Sequence, residues 1–290
     1  MFGFFKNAHV IPDLSFIGVD MHSHLLPGLD DGFVNIEDSI EIIKELQLLG
    51  YEKLICTPHI LSDYYKNSPE TILPKLAALQ NALIENNISV KLEAAAEYMI
   101  DYDFEQMFYA GNQLLTFGKN YILVEMSYVA ASPNFEKMIF ELKVKGLQPI
   151  LAHPERYNFY HQNFDIYNRL KDIGCLFQVN LLSLAGYYGK PVEKAALKLI
   201  KENMIDFIGT DFNGIICINT TVYRLATWNG SSWGYIGSTS INNGTNATIH
   251  ALYYDGSSKL FVGGDFTQVD WNGISGTSMN YISYWNGIWN

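Results

Sequence analysis

Two histidines one residue apart, His22 and His24, stand in the stretch Asp20-Met21-His22-Ser23-His24-Leu25-Leu26-Pro27-Gly28-Leu29-Asp30-Asp31-Gly32. The apolar run Phe16-Ile17-Gly18-Val19 precedes them and predicts a strand. On a strand, positions i and i+2 face the same way, so both imidazoles can be aimed at one point. Asp31 lies across the Pro27-Gly28 turn, where its carboxylate can fold back over that point. Imidazoles backed by carboxylates suit a divalent ion of the zinc, manganese or iron kind. A His-x-His pair also arises by chance, so its meaning depends on what the rest of the chain brings to it.

The elements that must position these residues recur along the chain. Asn35, with Asp38 three positions on, predicts a helix cap. Ile36, Ile40, Ile43 and Leu46 then mark one apolar helical face, which Gly50 ends. Lys53-Leu54-Ile55-Cys56 reads as a strand leading to Thr57-Pro58-His59. Ile72, Leu76, Leu79 and Leu83 mark a second amphipathic helix, and residues 90–97 the next strand, ending in Glu97. Tyr121-Ile122-Leu123-Val124 ends in Glu125, and a helix over 135–145 precedes Pro149-Ile150-Leu151-Ala152 and His153. Cys175 to Val179 ends in Asn180, and Asp206 to Thr210 ends in Asp211. Seven strand–helix units of this kind argue for a parallel sheet. Polar side chains gathered at the C-terminal strand ends are where a βα barrel builds its active site. Four of the seven histidines, His22, His24, His59 and His153, hold such positions, beside Glu97, Glu125 and Asp211. His9, His161 and His250 do not and receive no role.

Composition narrows the class. The 290 residues are 48% hydrophobic, enough to bury a sizeable core. A net charge of −11 argues against a nucleic-acid partner and against adsorption to an anionic membrane. No stretch approaches the length of a membrane span. Cys56, Cys175 and Cys217 form no CxxC pair and no disulfide framework. With a short apolar N-terminus, unlike a signal peptide, they predict a cytoplasmic protein. The charge is uneven: residues 213–290 hold only Arg224, Asp255, Lys259, Asp265 and Asp270, together with all five tryptophans. Such a break predicts two segments, 1–212 and 213–290.

The motifs DMHSHLLPGLDDG, TPH, AAAEY, LVEMS, LAHPERY, GCLFQVNLLSLAGYYG and IGTD in residues 1–212 carry a resemblance to a known family. The segment resembles the polymerase-and-histidinol-phosphatase (PHP) superfamily, and within it the bacterial manganese-dependent protein-tyrosine phosphatases of capsule and exopolysaccharide operons. The resemblance implies a distorted seven-stranded (β/α) barrel holding two or three divalent ions, manganese foremost. By the same resemblance His22, His24, Asp31, His59, Glu97, Glu125, His153 and Asp211 match metal ligands. Arg156 matches the arginine that grips the substrate phosphate, and Asp31 shares the catalytic assignment with it. A planar guanidinium suits that task because it bonds two phosphate oxygens at once. The implied substrate is a tyrosine-phosphorylated protein, the autokinase of polysaccharide export, with the oligomeric state left open. None of the cysteines sits in the C-x5-R loop that cysteine-dependent tyrosine phosphatases use. The alternatives are a histidinol-phosphatase-like phosphoesterase and an inactive barrel serving as an interaction protein.

The chain departs from this pattern at its end. The family motif reads G-T-D-x-H, but Gly209-Thr210-Asp211-Phe212 is followed by Asn213, and an amide oxygen is a poorer ligand than an imidazole. The helices that close the family's barrel do not follow, so the barrel reads as shortened. Instead Phe261-Val262-Gly263-Gly264-Asp265-Phe266 echoes Phe207-Ile208-Gly209-Thr210-Asp211-Phe212, and Trp285-Asn286-Gly287 echoes Trp228-Asn229-Gly230. This spacing resembles a β-propeller-like repeat and predicts a β-rich fragment over 213–290.

Overall fold

The computed structural model describes residues 14–213 and, beyond them, 226–228, 233–235, 249–254, 260–264, 267–269, 277–278 and 282–285. The chain divides into two compact units, Met1–Ile215 and Ile216–Asn290. In the first, strands and helices alternate: β1 (Val19–Ser23), α1 (Ile36–Leu48), β2 (Lys53–Cys56), β3 (His59–Ile60), α2 (Pro69–Glu85), β4 (Lys91–Ala94), β5 (Glu97–Met99) and α3 (Tyr102–Tyr109). They continue as β6 (Tyr121–Glu125), α4 (Phe135–Val144), β7 (Gln148–Ala152), α5 (Asp165–Asp172), β8 (Leu176–Asn180), α6 (Leu181–Leu184), α7 (Lys190–Lys201) and β9 (Phe207–Gly209).

All strand pairs of this unit are parallel, in two sheets of order β1-β2-β4 and β3-β5-β6-β7-β8-β9. The strand predicted over 53–56 is β2, and a second short strand, β3, resumes beyond Thr57-Pro58; the single strand predicted over 90–97 is interrupted. Pro58 has no N–H to donate to a ladder, and it separates β2 from β3. Ala95-Ala96 separates β4 from β5. Backbone bonds nevertheless cross both gaps, from Thr57 N to Ser23 O at 2.7 Å, Ala95 N to Cys56 O at 2.8 Å and Glu97 N to Pro58 O at 3.1 Å. At the far edge, Asp211 N donates to His22 O and His24 N donates to Phe212 O, both at 2.8 Å. The chain leaving β9 therefore runs against β1.

Local chemistry explains the elements. The Asn35 side chain accepts from Asp38 N at the start of α1, and Ser68 with Thr71 forms a capping box on α2, whose first residue is Pro69. The Ile36 face packs inward through Ile40, Ile43 and Leu46. Gly50 ends α1 with φ +101°, and a Cβ there would sit 2.6 Å from the Ser15 backbone. Ile122, Leu123 and Val124 on β6 are all fully buried, as expected of a parallel strand covered on both faces. Met21, Ile55, Ala95, Leu123, Ile150 and Ala152 meet in one core cluster, which fixes the strands whose ends carry the polar residues.

In the second unit the described strands pair antiparallel: β10 (Ala226–Trp228) with β11 (Trp233–Tyr235), β12 (Ile249–Tyr254) with β13 (Leu260–Gly264), and β13 with β16 (Ile282–Trp285). A further pair joins β14 (Gln268–Val269) to β15 (Thr277–Ser278). The repeat read over 213–290 falls largely outside the described residues. Among the described residues, no helix is long and apolar enough to cross a membrane.

Candidate metal centre

The strand ends bring the predicted residues together. His22 lies on β1 and His24 just beyond it. His59 and Glu97 open β3 and β5, Glu125 closes β6, His153 follows β7 and Asp211 follows β9. His153 and Asp211 hold positive φ, +35° and +50°. Non-glycine residues adopt this conformation at a cost of ~1–3 kcal/mol and cluster where function fixes the backbone.

Glu97 is the hub. Its Oε2 lies 3.2 Å from both His22 Nε2 and His59 Nδ1 and 3.5 Å from His24 Nε2, while its Oε1 lies 3.0 Å from His153 Nε2. Asp211 Oδ1 stands 3.5 Å from His22 Nε2 and 3.4 Å from His24 Nε2. Glu125 Oε1 lies 2.9 Å from His59 Nδ1. Ligand atoms converge in overlapping groups: His22, His24 and Asp211; His22, Glu97 and His153; His24, His59 and Glu97; His24, Asp30 and Asp31.

The donor set fits cations. His22 Nδ1 faces Gln178 Oε1 at 2.8 Å and His24 Nδ1 faces Asp30 Oδ2 at 2.7 Å. Both partners are acceptors, so each ring carries its proton on Nδ1 and turns the Nε2 lone pair inward. Those two Nε2 atoms are only 3.3 Å apart, and neutral lone pairs at that distance repel unless positive charge lies among them. Without a metal, protons supply it. Burial opposes an imidazolium at His24, but Asp30 and Asp211 raise its pKa well above the usual histidine value. Burial likewise opposes the charged form of His59, yet Glu97 and Glu125 raise it to about 9. Glu97 is buried, which favours its neutral form, but His22 and His59 hold it well below the usual carboxylate range. Burial and the charge of Glu97 push Glu125 up.

A chain of side-chain bonds surrounds this cluster. Gln178 Nε2 donates to Asn180 Oδ1 at 2.9 Å, and Asn180 Nδ2 donates to Asp211 Oδ2. Arg156 Nη1 donates to the same Oδ2 at 2.8 Å. Asp211 thus turns Oδ1 to the histidine pair and Oδ2 to its supports. The backbone crowds this wall: a Cβ on Gly32 would lie 2.2 Å from His24 O, and one on Gly209 would lie 2.7 Å from His22 Cβ.

Asp31 sits apart from the buried group. Its side chain is 45% exposed and its Oδ1 lies 3.5 Å from His59 Nε2. The neighbouring Asp30 is buried and also accepts from His59 N at 3.0 Å. Asp30, Gln178, Tyr128 and Tyr188 escape the sequence reading. Gln178 stands two residues before the strand-end Asn180, the i, i+2 spacing of His22 and His24, a signal that would have found it. The choice within the Asp30-Asp31 doublet depends on turn geometry, which spacing does not reveal. Cys56 and Cys175 are fully buried. Burial pushes the Cys56 thiol far up and the Cys175 thiol up to about 12, so neither is a thiolate nucleophile at neutral pH.

Parallel strands with imidazoles and carboxylates converging at one end define an α/β protein with a buried centre for divalent ions. Comparison with known proteins narrows that class. Residues 18–215 match the family described as capsular polysaccharide synthesis, CpsB/CapC, and the chain belongs to it. The chain is 32% identical over 198 residues to the tyrosine-protein phosphatase YwqE of Bacillus subtilis, covering 68% of this chain and 78% of that one. It is 32% identical over 200 residues to the putative tyrosine-protein phosphatase CapC of Staphylococcus aureus, covering 68% and 77%. A solved structure of YwqE, described as a unique metal-dependent tyrosine phosphatase, superposes with a TM-score of 0.64 over 68% of this chain and 80% of that one.

Proposed function

We propose that this chain is a metal-dependent protein-tyrosine phosphatase of capsular or exopolysaccharide synthesis, acting on the tyrosine-phosphorylated autokinase of polysaccharide export. The observation that carries the reading is the inward convergence of the His22 and His24 Nε2 atoms on Glu97 and Asp211, with both Nδ1 atoms committed to acceptors. His22, His24, His59, Glu97, Glu125, His153 and Asp211 would hold the ions, two or three of manganese, with Asp31 at the exposed edge. Bound divalent ions supply positive charge for phosphoryl oxygens and an acidified water. Arg156 spends Nη1 on Asp211 and offers its remaining donors to the phosphate. Asp31, beside His59, is the carboxyl placed to manage the proton at the leaving phenolate oxygen. The two sheets, bonded across both gaps and along β9 and β1, are read as one distorted seven-stranded barrel of PHP type. A cytoplasmic location belongs with this substrate.

The test is phosphate release from a phosphotyrosine peptide by chelator-stripped protein, with and without added manganese, set against histidinol phosphate. Manganese-dependent turnover of the peptide is expected. Preference for histidinol phosphate would move the chain to the phosphoesterase alternative, and metal binding without turnover to the interaction protein. Asn213→His runs beside the parent: equal activity means these seven ligands and Asp31 suffice, and activity only in the variant means the missing imidazole disabled the site.

A further inference from the structure

Arg156 is held by more than its carboxylate. The Tyr128 ring lies 4.5 Å from its guanidinium carbon and the Tyr188 ring 4.3 Å from the same atom. Tyr128 follows β6 and Tyr188 precedes α7, so rings from two different connections meet on one cation. Tyr128 is itself fixed: its hydroxyl lies 3.2 Å from His153 Nε2 and its ring stacks on Tyr157 at 5.9 Å. It is still 44% exposed, beside the exposed Val129. An arginine on a free stem loses rotamer freedom when it grips a phosphate; one already packed between rings and bonded to Asp211 has less left to lose. The cation–ring contacts also favour the charged guanidinium where it stands.

The depth of the site adds a second point. His22 and Glu97 are fully buried, so a phosphoryl group reaching their end of the centre must be carried inward on an extended arm. Tyr128, part-exposed over Arg156, and Tyr65, stacked on His59 at 5.5 Å, are the rings such an arm would meet. An aromatic arm gains ring contacts there that an alkyl arm lacks.

We propose that Tyr128 and Tyr188 are positioning residues for Arg156. Tyr128 is also the specificity-determining wall that makes the site prefer aryl over alkyl phosphate monoesters. This deepens the phosphatase reading and rests on it.

The experiment uses the full chain loaded with manganese: wild type, Tyr128→Leu, Tyr128→Phe, Tyr188→Leu and Tyr188→Phe. Inorganic phosphate affinity is read by calorimetry, and KM and kcat on one peptide carrying phosphotyrosine or, in its place, phosphoserine. Melting temperature and manganese content are read on each variant, and Tyr128→Met replaces Tyr128→Leu if the latter fails to fold. Each leucine variant should weaken phosphate binding about tenfold and raise KM more than it lowers kcat, with phenylalanine restoring most of the loss. Tyr128→Leu should in addition lower the phosphotyrosine-to-phosphoserine ratio of kcat/KM about threefold or more, and Tyr188→Leu should leave that ratio in place. Phosphate affinity within about twofold of wild type in both leucine variants, with manganese intact, would overturn the clamp. An unchanged ratio in Tyr128→Leu would overturn its role as the wall. A wild type that binds manganese and phosphate but turns over neither peptide refutes the phosphatase reading and with it the wall, while the phosphate measurements still decide the clamp.

Discussion

The inner and outer halves of the centre are built differently. Inside, His22, His24, Glu97, His153 and Asp211 are buried, sit on or beside strands, and are oriented by a second set of buried groups, Asp30, Gln178 and Asn180. Outside, His59, Asp31 and Arg156 are 17%, 45% and 22% exposed, and the aromatic rings around them come from connecting segments. Strands hold a side chain more precisely than loops do, because the ladder and the core set its backbone. Connections leave room for a substrate to enter. The inner half is therefore the part on which charge and ligand count depend, and the outer half the part on which recognition depends.

The largest effect should come from the hub. Glu97→Ala removes the one carboxylate that touches four imidazoles, so metal content by atomic emission should fall to background and phosphotyrosine hydrolysis with it. Retained stoichiometric manganese would show that the inner half is not the ligand set. Next, Gly209→Ala forces a Cβ to within 2.7 Å of His22 Cβ. Overpacking of this kind costs ~1–3 kcal/mol, read as a lower chemical-denaturation midpoint together with weaker metal binding. Gln178→Leu keeps the volume and leaves His22 Nδ1 without an acceptor. Loss of such an orienting partner weakens metal affinity about 10–100-fold, measured by chelator competition, while KM for the peptide moves little. A variant that instead raises KM with unchanged metal affinity would erase the distinction between the halves.

The two halves also differ in how far the sequence reveals them. The inner ligands are legible because strand periodicity and strand–helix alternation place them. Apolar runs ending in His, Glu or Asp announce both the element and the point of convergence. The parallel sheet follows from the same alternation. The break at Ala95-Ala96 and the resumption of a strand at His59 are less visible, because they depend on how neighbouring strands hand bonds across a gap. Asp30 is hidden beside Asp31 because a turn's dihedral angles, not its composition, choose which carboxylate faces inward. Tyr128 and Tyr188 are hidden because their role exists only where two connections distant in sequence meet on Arg156. Asn213 is visible only against a family motif, and nothing in its own neighbourhood marks it as a substitution.

The smallest effect concerns protons and separates the halves without any substrate. In metal-free protein, burial opposes the charged form of His59, but Glu97 and Glu125 raise its pKa from 6.5 to about 9. A histidine with a raised folded-state pKa stabilises fully below the unfolded value, and that contribution is lost as pH rises through the folded value. Glu97 has the opposite sign: despite burial, His22 and His59 lower its pKa below 4.5, so its contribution is present above about 4.5 and lost as pH falls. Metal-free protein should therefore be most stable between pH about 4.5 and 6.5, with the melting temperature dropping by several degrees, on the order of 5 °C, toward pH 9. Manganese replaces those protons, so the loaded protein should hold its melting temperature across the same interval. His59→Gln takes the titrating group out of the outer half. It should flatten the metal-free decline above pH 6.5 in part, leaving the share that His22 and His24, also raised, contribute from within. A decline of equal depth in His59→Gln would mean that the inner histidines carry all of the proton linkage.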